Sequence, residues 1–497
     1  MNGSSSPKTV PEIFFRTCAR FPSRPAQRFN ANLYQGDNNG RYTYGEMRES
    51  VEKIACGLLS LGMEKQDRAA LMSRSTPYWT QADMAAAACG GVSAALSPTL
   101  PAGEVISFLA PARCRYLFVD AGERLDGIMG RISELPALER IVVVDFAHEG
   151  DGGWVMGLRE LLDRGGKFRS DNRGLLQERV QGVSPDDGYT ILYTPGTGPG
   201  GALLTPSAVV SRLEGMNGFL PQGGLEITRD DVALCCLPLS GVFERVACQL
   251  LALCEGACIA YGDGEETLFY DLRKYNPTWL NVTPDSLEKI RGAIREHAGG
   301  TPLARGLFDL ACHAGRKALD YRRDHRDVYN MHPAYELERR LPLGLKIQYR
   351  LADRLFSGAR ALFGRRFRFA FSSGDSVGPD LLHFFYTLGI AVVEGYGLAE
   401  TAGPCILNPL TSCKPGYLGV ASCGARTRVA PDGELQVGGP GLFAGYPGFP
   451  RRTEEAFTPD GWLRTGDLVD CDGCGYFRMA GRKTVACAGR PGSSGEH

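Results

Sequence analysis

Short apolar runs alternate with amphipathic stretches along most of the chain. Within 47–61 the apolar residues recur at the three- and four-residue spacing of a helix that buries one face. The run 68–72 is short and apolar, as in a buried strand, and the alanine-rich stretch 78–89 predicts another helix. Strands that alternate with helices form a mostly parallel sheet covered on both faces. The pattern therefore predicts an α/β fold.

The same pattern continues into the middle of the chain. Strand-like runs occur at 115–120 and 140–145. Residues 150–173 are glycine-rich and charged, which predicts a surface excursion between core elements. A helix is expected from 207 onward, with Ser207 as its N-cap.

Composition and charge narrow the class of protein. The chain has 497 residues, of which 43% are hydrophobic and 22% charged, as in globular proteins with more than one subdomain. The formal net charge of -1 does not favour nucleic acid as a partner. No apolar run is long enough to predict a transmembrane helix. Most of the 16 cysteines are scattered, often in apolar runs, which is typical of reduced thiols in a cytoplasmic protein.

The first candidate for chemistry is a loop of small residues after the apolar run 189–193. Thr194, Gly196, Thr197 and Gly198 offer backbone amides and hydroxyls that could surround a phosphate group. The alternative is an ordinary glycine–proline turn between two strands. The loop is not a Walker motif, because no Gly-Lys-Ser/Thr sequence closes it.

A second candidate lies near the end of the next strand-like region. Gly395 and Gly397 flank Tyr396, so the backbone could approach a flat ring while the tyrosine supplies a stacking face. Glu400 is a hard oxygen ligand, suited to an Mg²⁺ ion that bridges phosphates. Further along, Asp467 could accept both hydroxyls of a ribose.

In this order, these motifs resemble the AMP-forming ligase superfamily, and within it the long-chain acyl-CoA synthetases. The resemblance extends from about Arg41 to about Lys483. It implies the N-terminal domain of such a ligase: two doubly wound α/β subdomains plus a distorted β-barrel subdomain. It places Gly374, Asp375 and Ser376 along an adenine.

The resemblance also implies a reaction and its components. Arg482 would contact the ribose or the α-phosphate, and Glu400 would be catalytic. A fatty acid would be activated by ATP with Mg²⁺ to an acyl adenylate, and coenzyme A would then displace AMP. Trp279 and Leu280 fall in the segment that walls the acyl site in the family, with a purely structural role in the core as the alternative.

The resemblance divides the chain into four parts. We expect a lead-in over 1–40, an AMP-binding core over 41–400, a β-rich subdomain with the ribose motif over 401–483, and a disordered tail over 484–497. The C-terminal domain of the family is expected to be absent, or to be supplied by a separate chain.

Three positions depart from the family pattern. Gly200 occurs where the phosphate loop usually has a lysine, Gly241 replaces a histidine beside the acyl carboxylate, and Ala399 replaces a threonine that contacts phosphate. Without the lysine, ATP is expected not to bind much more tightly than AMP. Two hypotheses follow: a long-chain fatty acid–CoA ligase of reduced activity, or a pseudoenzyme that binds nucleotide or acyl groups as a regulatory or scaffold module.

Residues 303–366 are helical in pattern and rich in arginine. The simplest interpretation is that these arginines lie on solvated helix faces. The alternative is a surface that contacts acidic partners or anionic lipid, which would make the protein peripherally membrane-associated.

Overall fold

The structure, a computed structural model, describes residues 6–31, 40–193 and 198–483. The strands within these residues are β1 (Pro25–Arg28), β2 (Arg41–Thr43), β3 (Arg68–Met72), β4 (Val92–Ala95), β5 (Tyr116–Val119), β6 (Arg140–Val143), β7 (Val155–Gly157), β8 (Thr190–Leu192), β9 (Ala202–Leu204), β10 (Val232–Cys235), β11 (Cys258–Tyr261), β12 (Trp279–Val282), β13 (Phe369–Ser372), β14 (Ala391–Leu398), β15 (Gly403–Leu407), β16 (Val420–Ala421), β17 (Arg426–Val429), β18 (Glu434–Gly438), β19 (Leu463–Cys471) and β20 (Phe477–Arg482).

The helices of the described residues alternate with these strands through most of the chain. They are α1 (Val10–Arg20), α2 (Tyr44–Ser60), α3 (Pro77–Ala88), α4 (Ala102–Ala112), α5 (Glu123–Met129), α6 (Leu158–Asp171), α7 (Leu175–Gln181), α8 (Pro206–Phe219), α9 (Val242–Glu244), α10 (Leu251–Glu255), α11 (Leu268–Tyr275), α12 (Pro284–Ala298), α13 (Pro302–Leu319), α14 (Leu337–Arg340), α15 (Leu343–Ala361), α16 (Pro379–Thr387) and α17 (Pro450–Ala456). A π-helical segment, Arg245–Leu250, joins α9 to α10.

Two large sheets form the α/β part of the molecule. The first has the order β7-β6-β5-β3-β4-β8-β9, parallel except for the last pair. The second has the order β16-β15-β14-β13-β12-β10-β11-β1-β2, and its central strands are parallel. The strands β17-β18-β19-β20 form a separate antiparallel sheet. The predicted α/β class is confirmed.

The prediction of a surface excursion over 150–173 is wrong. Strand β7 is the edge of the seven-stranded sheet, and α6 packs along α2. A Cβ added at Gly165 would lie 1.8 Å from the carbonyl oxygen of Lys53, and one at Gly57 would lie 2.6 Å from Leu161. The glycines that weaken the helix signal in the sequence are therefore what permits close contact between the two helices.

The start of α8 also differs from its prediction. Thr205, and not Ser207, is the N-cap, because the Thr205 hydroxyl accepts a hydrogen bond from the amide of Ala208 at 3.2 Å. Pro206 then occupies the first helical position, where its missing N–H is no loss. Among the described residues, no helix is both long and apolar enough to cross a membrane.

Candidate functional site

The phosphate-loop candidate lies between β8 and β9, two antiparallel strands at one side of the seven-stranded sheet. Thr194, Gly196 and Thr197 lie outside the described residues. Gly198 opens a single 3₁₀ turn over 198–200, with φ of +58°, a conformation that favours glycine. The described end of the loop is thus a tight turn close to the carboxyl end of β8.

A buried network holds β8 in place against the π-helical segment Arg245–Leu250. Arg245 forms an ion pair with Asp83 of α3, and both side chains are almost fully buried. Arg245 also donates to the hydroxyls of Thr190 at 2.6 Å and Ser93 at 2.7 Å, while the Tyr189 hydroxyl donates to Asp83 at 3.0 Å. Because Tyr189 and Thr190 lead directly into the loop, this network fixes the position from which the loop departs.

A cavity of about 710 Å³ opens beside this turn. It lies where β14, α17 and the four-stranded sheet meet, and Val242, at the start of α9, also reaches it. Its charged lining residues are Glu400, Glu434, Glu455, Arg452, Arg464, Arg482 and Lys483. Such a group of cations around a cleft suits a phosphorylated ligand.

Glu400 is held at the edge of this cavity by a tyrosine. The Tyr446 hydroxyl donates to Oε1 of Glu400 at 2.7 Å, and the backbone carbonyl of Glu400 accepts from the amide of Phe443 at 2.9 Å. The other carboxylate oxygen accepts no hydrogen bond that the described residues supply. One carboxylate beside substrate phosphates is the usual protein contribution to an Mg²⁺ site, so Glu400 fits the predicted metal.

The structure explains why no lysine occupies position 200. A Cβ at Gly200 would lie 2.7 Å from Cδ2 of Phe449 and 3.1 Å from Cβ of Tyr446. Both aromatic residues precede α17 and cover the turn. A long side chain at position 200 would therefore require the Phe449 ring and the Tyr446 backbone to move.

The helix α17, which follows Tyr446 and Phe449, brings a cation to the loop in place of the missing lysine. The guanidinium of Arg452, in α17, lies over the ring of Tyr446, and its Nη1 is 2.7 Å from the point where a Cβ on Gly198 would be. Arg452 was not predicted from the sequence. The signal available was the pair Arg451-Arg452 just after Pro450, in the segment that leads to the ribose motif.

The residues predicted for the nucleoside contact one another. The Tyr396 hydroxyl donates to Oδ2 of Asp467 at 2.6 Å, and Nε of Arg482 lies 3.4 Å from Oδ1 of the same carboxylate. Asp467 and the Tyr396 ring are buried, the ring in a small apolar cluster with Cys405 and Leu435. Burial raises the pKa of Tyr396 well above its usual value, and the nearby carboxylate acts in the same direction. Of the three, Arg482 lines the cavity.

The glycines around Tyr396 are explained by packing between strands. A Cβ at Gly397 would lie 2.1 Å from the carbonyl oxygen of Gly403 in β15, and one at Gly395 would lie 3.0 Å from Leu407. Gly397 also lines the cavity, whereas Gly395 does not appear in its lining. The close approach of β14 and β15 is thus sufficient to require glycine at position 397.

The predicted adenine loop is exposed and attached to β14 through a buried carboxyl group. Gly374, Asp375 and Ser376 follow β13 after Ser373 and are solvent-exposed. The next amide, of Val377, donates to Oε1 of Glu394 at 3.0 Å. Burial raises the pKa of Glu394 to about 8, opposed by this hydrogen bond and by one from Asn408. Glu394 was not singled out from the sequence, although it directly precedes Gly395.

The two candidates for an acyl wall are core residues in this structure. Trp279 and Leu280 lie in the central strand β12 with no exposed surface, and the Trp279 indole donates to the Ala247 carbonyl at 3.3 Å. Gly241, the position of the family histidine, is half-buried at the N-terminus of α9. A Cβ there would lie 3.2 Å from the Pro238 carbonyl oxygen, so a side chain could be accommodated with a small shift.

The chain belongs to the AMP-binding enzyme family, whose model matches residues 14–447. The long-chain-fatty-acid–CoA ligase FadD15 of Mycobacterium bovis is 28% identical over 445 residues, which cover 89% of this chain and 69% of that protein. The long-chain-fatty-acid–CoA ligase heimdall of Drosophila melanogaster is 26% identical, over 96% of this chain and 69% of its own.

Solved structures of the same fold confirm the architecture. A fatty acyl CoA synthetase of Mycobacterium tuberculosis superposes with a TM-score of 0.68 at 19% identity, over 96% of this chain and 78% of that one. The N-terminal domain of FACL13 from Mycobacterium tuberculosis gives a TM-score of 0.65 at 18% identity, covering 95% of this chain and 99% of the domain. The predicted fold, that of the N-terminal domain of an AMP-forming ligase, is confirmed.

Proposed function

We propose that the protein activates a fatty acid with ATP, forming an acyl adenylate and pyrophosphate, as the first half of an acyl-CoA ligase reaction. The observation that carries this proposal is the convergence of Glu400, Arg452 and Arg482 on one cavity beside the turn at Gly198. A cavity with a carboxylate for a metal and cations for phosphates is what transfer at an α-phosphate requires. The relatives named as long-chain fatty acid–CoA ligases support the substrate class.

The cations have distinct roles in this proposal. Arg452 lies at the phosphate loop and would bind the β- and γ-phosphates, which leave as pyrophosphate, in place of the lysine missing at Gly200. Arg482 lies at the end of β20, next to Asp467, and would contact the ribose or the α-phosphate. Both act by holding the triphosphate in line with the attacking carboxylate and by neutralising its oxygens. Mg²⁺, held by Glu400, would supply further charge neutralisation.

The nucleoside end of ATP would bind near the carboxyl edge of β13 and β14. The exposed loop at Gly374, Asp375 and Ser376 would lie along the adenine. Asp467 would accept the ribose hydroxyls once the Tyr396 hydroxyl gives up its hydrogen bond. The carboxylate keeps its hydrogen bonding in this exchange, because a ribose hydroxyl replaces the Tyr396 hydroxyl as donor, while the freed Tyr396 hydroxyl needs a new acceptor.

The first test is exchange of labelled pyrophosphate into ATP with a panel of fatty acids from short to long chain. The proposal predicts exchange that depends on the fatty acid and on Mg²⁺, with a preference for long chains. Adding coenzyme A and detecting acyl-CoA by mass spectrometry tests the second half-reaction separately. Exchange that fails with every acid, in protein that binds ATP, would refute the proposal.

A second candidate function is a nucleotide-binding module without turnover. It is favoured by the crowding of Gly200 by Phe449 and by the absence of a hydroxyl at Ala399. Calorimetry distinguishes the two: a pure binding module should hold AMP and ATP while showing no exchange. Fatty-acid-dependent exchange would exclude it.

A further inference from the structure

The outer face of α15 carries a row of exposed apolar side chains. Leu343, Ile347, Leu351 and Leu355 follow each other at intervals of four residues, and their exposed fractions are 76%, 54%, 57% and 47%. At 1.5 Å per residue the row is about 18 Å long. The opposite side of the helix, with Ala352, Phe356 and Ala359, is the side that packs into the protein.

The neighbouring helix α13 carries a second row. Leu303, Leu307 and Leu310 are exposed by 75%, 49% and 65%, at the spacing of one helix face. The two helices pack on each other closely, since a Cβ at Gly315 would lie 2.9 Å from the ring of Phe356. We call these seven side chains the leucine face.

This concentration is unusual within the described residues. Twelve large hydrophobic side chains are strongly exposed there, and seven of them belong to the leucine face. Single exposed leucines are common on globular proteins, but a group of them on two adjoining helices marks an interaction surface.

The surroundings of the leucine face are strongly positive. The segment 303–366 contains fourteen lysines and arginines against seven aspartates and glutamates, in a chain with a net charge of -1. Several arginines pair with local acids, such as Arg350 with Glu338 at 2.8 Å. Arg354, next to the row on α15, is exposed and makes no ion pair with any described residue.

We propose that the leucine face docks onto the surface of an anionic phospholipid bilayer. The leucines would enter the boundary between headgroups and acyl chains, while Arg354 and its neighbours would lie among the lipid phosphates. A second copy of the chain fits this face less well, because a two-fold contact would bring two positive segments together. The docking would place the protein where long-chain fatty acids are dissolved, but it does not depend on the proposed ligase activity.

The test is flotation of the full chain with vesicles of phosphatidylcholine, with and without phosphatidylserine. We expect binding to the anionic vesicles that weakens as salt is raised, because surface charges are screened. The double substitution Ile347→Glu with Leu351→Glu should weaken partitioning about ten-fold or more. Arg354→Glu should weaken it on anionic vesicles only.

The matched control is Tyr270→Glu with Val429→Glu, which adds the same charge at exposed apolar positions outside the leucine face. It should leave vesicle binding unchanged. Circular dichroism of each variant checks the fold, and the lipid and salt dependence of the unmodified chain provides a test that needs no variant. A wild-type chain that fails to bind anionic vesicles, or a control that loses binding as much as the face variant, would overturn the proposal. The proposal would also be overturned if the wild-type chain formed a dimer, failed to bind vesicles, and became monomeric in the double variant Ile347→Glu with Leu351→Glu.

Discussion

The guanidinium carbon of Arg452 lies 4.2 Å from the centre of the Tyr446 ring. Tyr446 also donates its hydroxyl hydrogen bond to Glu400, so one side chain supports both the cation at the phosphate loop and the candidate metal ligand. A cation over an aromatic face is stabilised and restricted in direction. This arrangement gives the loop a positive charge from outside its own sequence.

Replacing Arg452 by alanine should therefore weaken ATP binding much more than AMP binding. We expect about a ten-fold or larger loss in ATP affinity, since a charge-assisted contact to phosphate contributes about 1.5–3 kcal/mol. Calorimetry with both nucleotides and Mg²⁺ measures the ratio. Arg451→Ala, which changes the adjacent exposed arginine, is the control and should leave the ratio unchanged. Equal losses for AMP and ATP in Arg452→Ala would contradict this role.

A lysine introduced at Gly200 should not restore the usual family loop. The Phe449 ring and Cβ of Tyr446 fill the space that the lysine stem needs, and overpacking costs about 1–3 kcal/mol. Gly200→Lys alone should lower the midpoint of urea unfolding without improving ATP binding. Gly200→Lys combined with Phe449→Ala, which opens space on that side, should recover part of the stability. A Gly200→Lys variant as stable as the parent would show that the segment with Tyr446 and Phe449 moves aside without cost.

The buried pair of Asp83 and Arg245 should matter strongly for stability. Asp83→Ala leaves Arg245 charged and buried without its partner, which is expected to cost about 3–5 kcal/mol in the free energy of unfolding. The comparison is Asp460→Ala, which removes the exposed pair with Arg428 and should lower stability far less, because water screens this pair. Urea unfolding of both variants measures the difference. Similar costs for the two would mean that the buried network is not what fixes β8.

Glu394 should make stability depend on pH. Its pKa is raised by burial to about 8 in the folded protein, while an unfolded glutamate titrates near 4.3. Between these values the folded state holds a proton that the unfolded state has lost, so stability falls as pH rises from about 4.3 to 8 and then levels off.

Glu394→Gln removes this titration and keeps an oxygen to accept the Val377 amide. We expect a flatter pH profile for the variant, with a stability advantage of about a few kcal/mol at pH 8 that vanishes near pH 5. Urea unfolding across this range provides the check. Parallel profiles for the two proteins would show that Glu394 is ionised in the folded state at neutral pH.

Much of the fold could be predicted because it depends on local pattern. The apolar periods of α2 and β3 are visible in single windows of sequence. The helix α6 was missed because Gly165 weakens the local helix signal. The close packing that Gly165 permits is visible only in the folded protein, where α2 lies against α6. Thr205 was not predicted as the N-cap, because Thr205 and Ser207 both carry a hydroxyl and the local sequence does not show at which of them the helix begins.

The candidate site was only partly predictable for the same reason. Glu400 and Arg482 follow motifs that are continuous in sequence. Arg452 reaches the loop from a segment about 250 residues further along, and nothing in its local sequence indicates that neighbour. The roles of Tyr396 and Asp467 stay predictions, because in this structure each satisfies the other.

Pyrophosphate exchange into ATP with palmitate, compared in the wild type, Arg452→Ala and Arg451→Ala, tests the central claim most directly. The claim is that the protein activates a fatty acid with Arg452 as the cation of the phosphate loop. We predict exchange in the wild type and in Arg451→Ala, and a loss of about 10²–10³ in Arg452→Ala, the usual effect of removing one preorganised donor. No exchange in the wild type, or equal rates in all three proteins, would contradict the account.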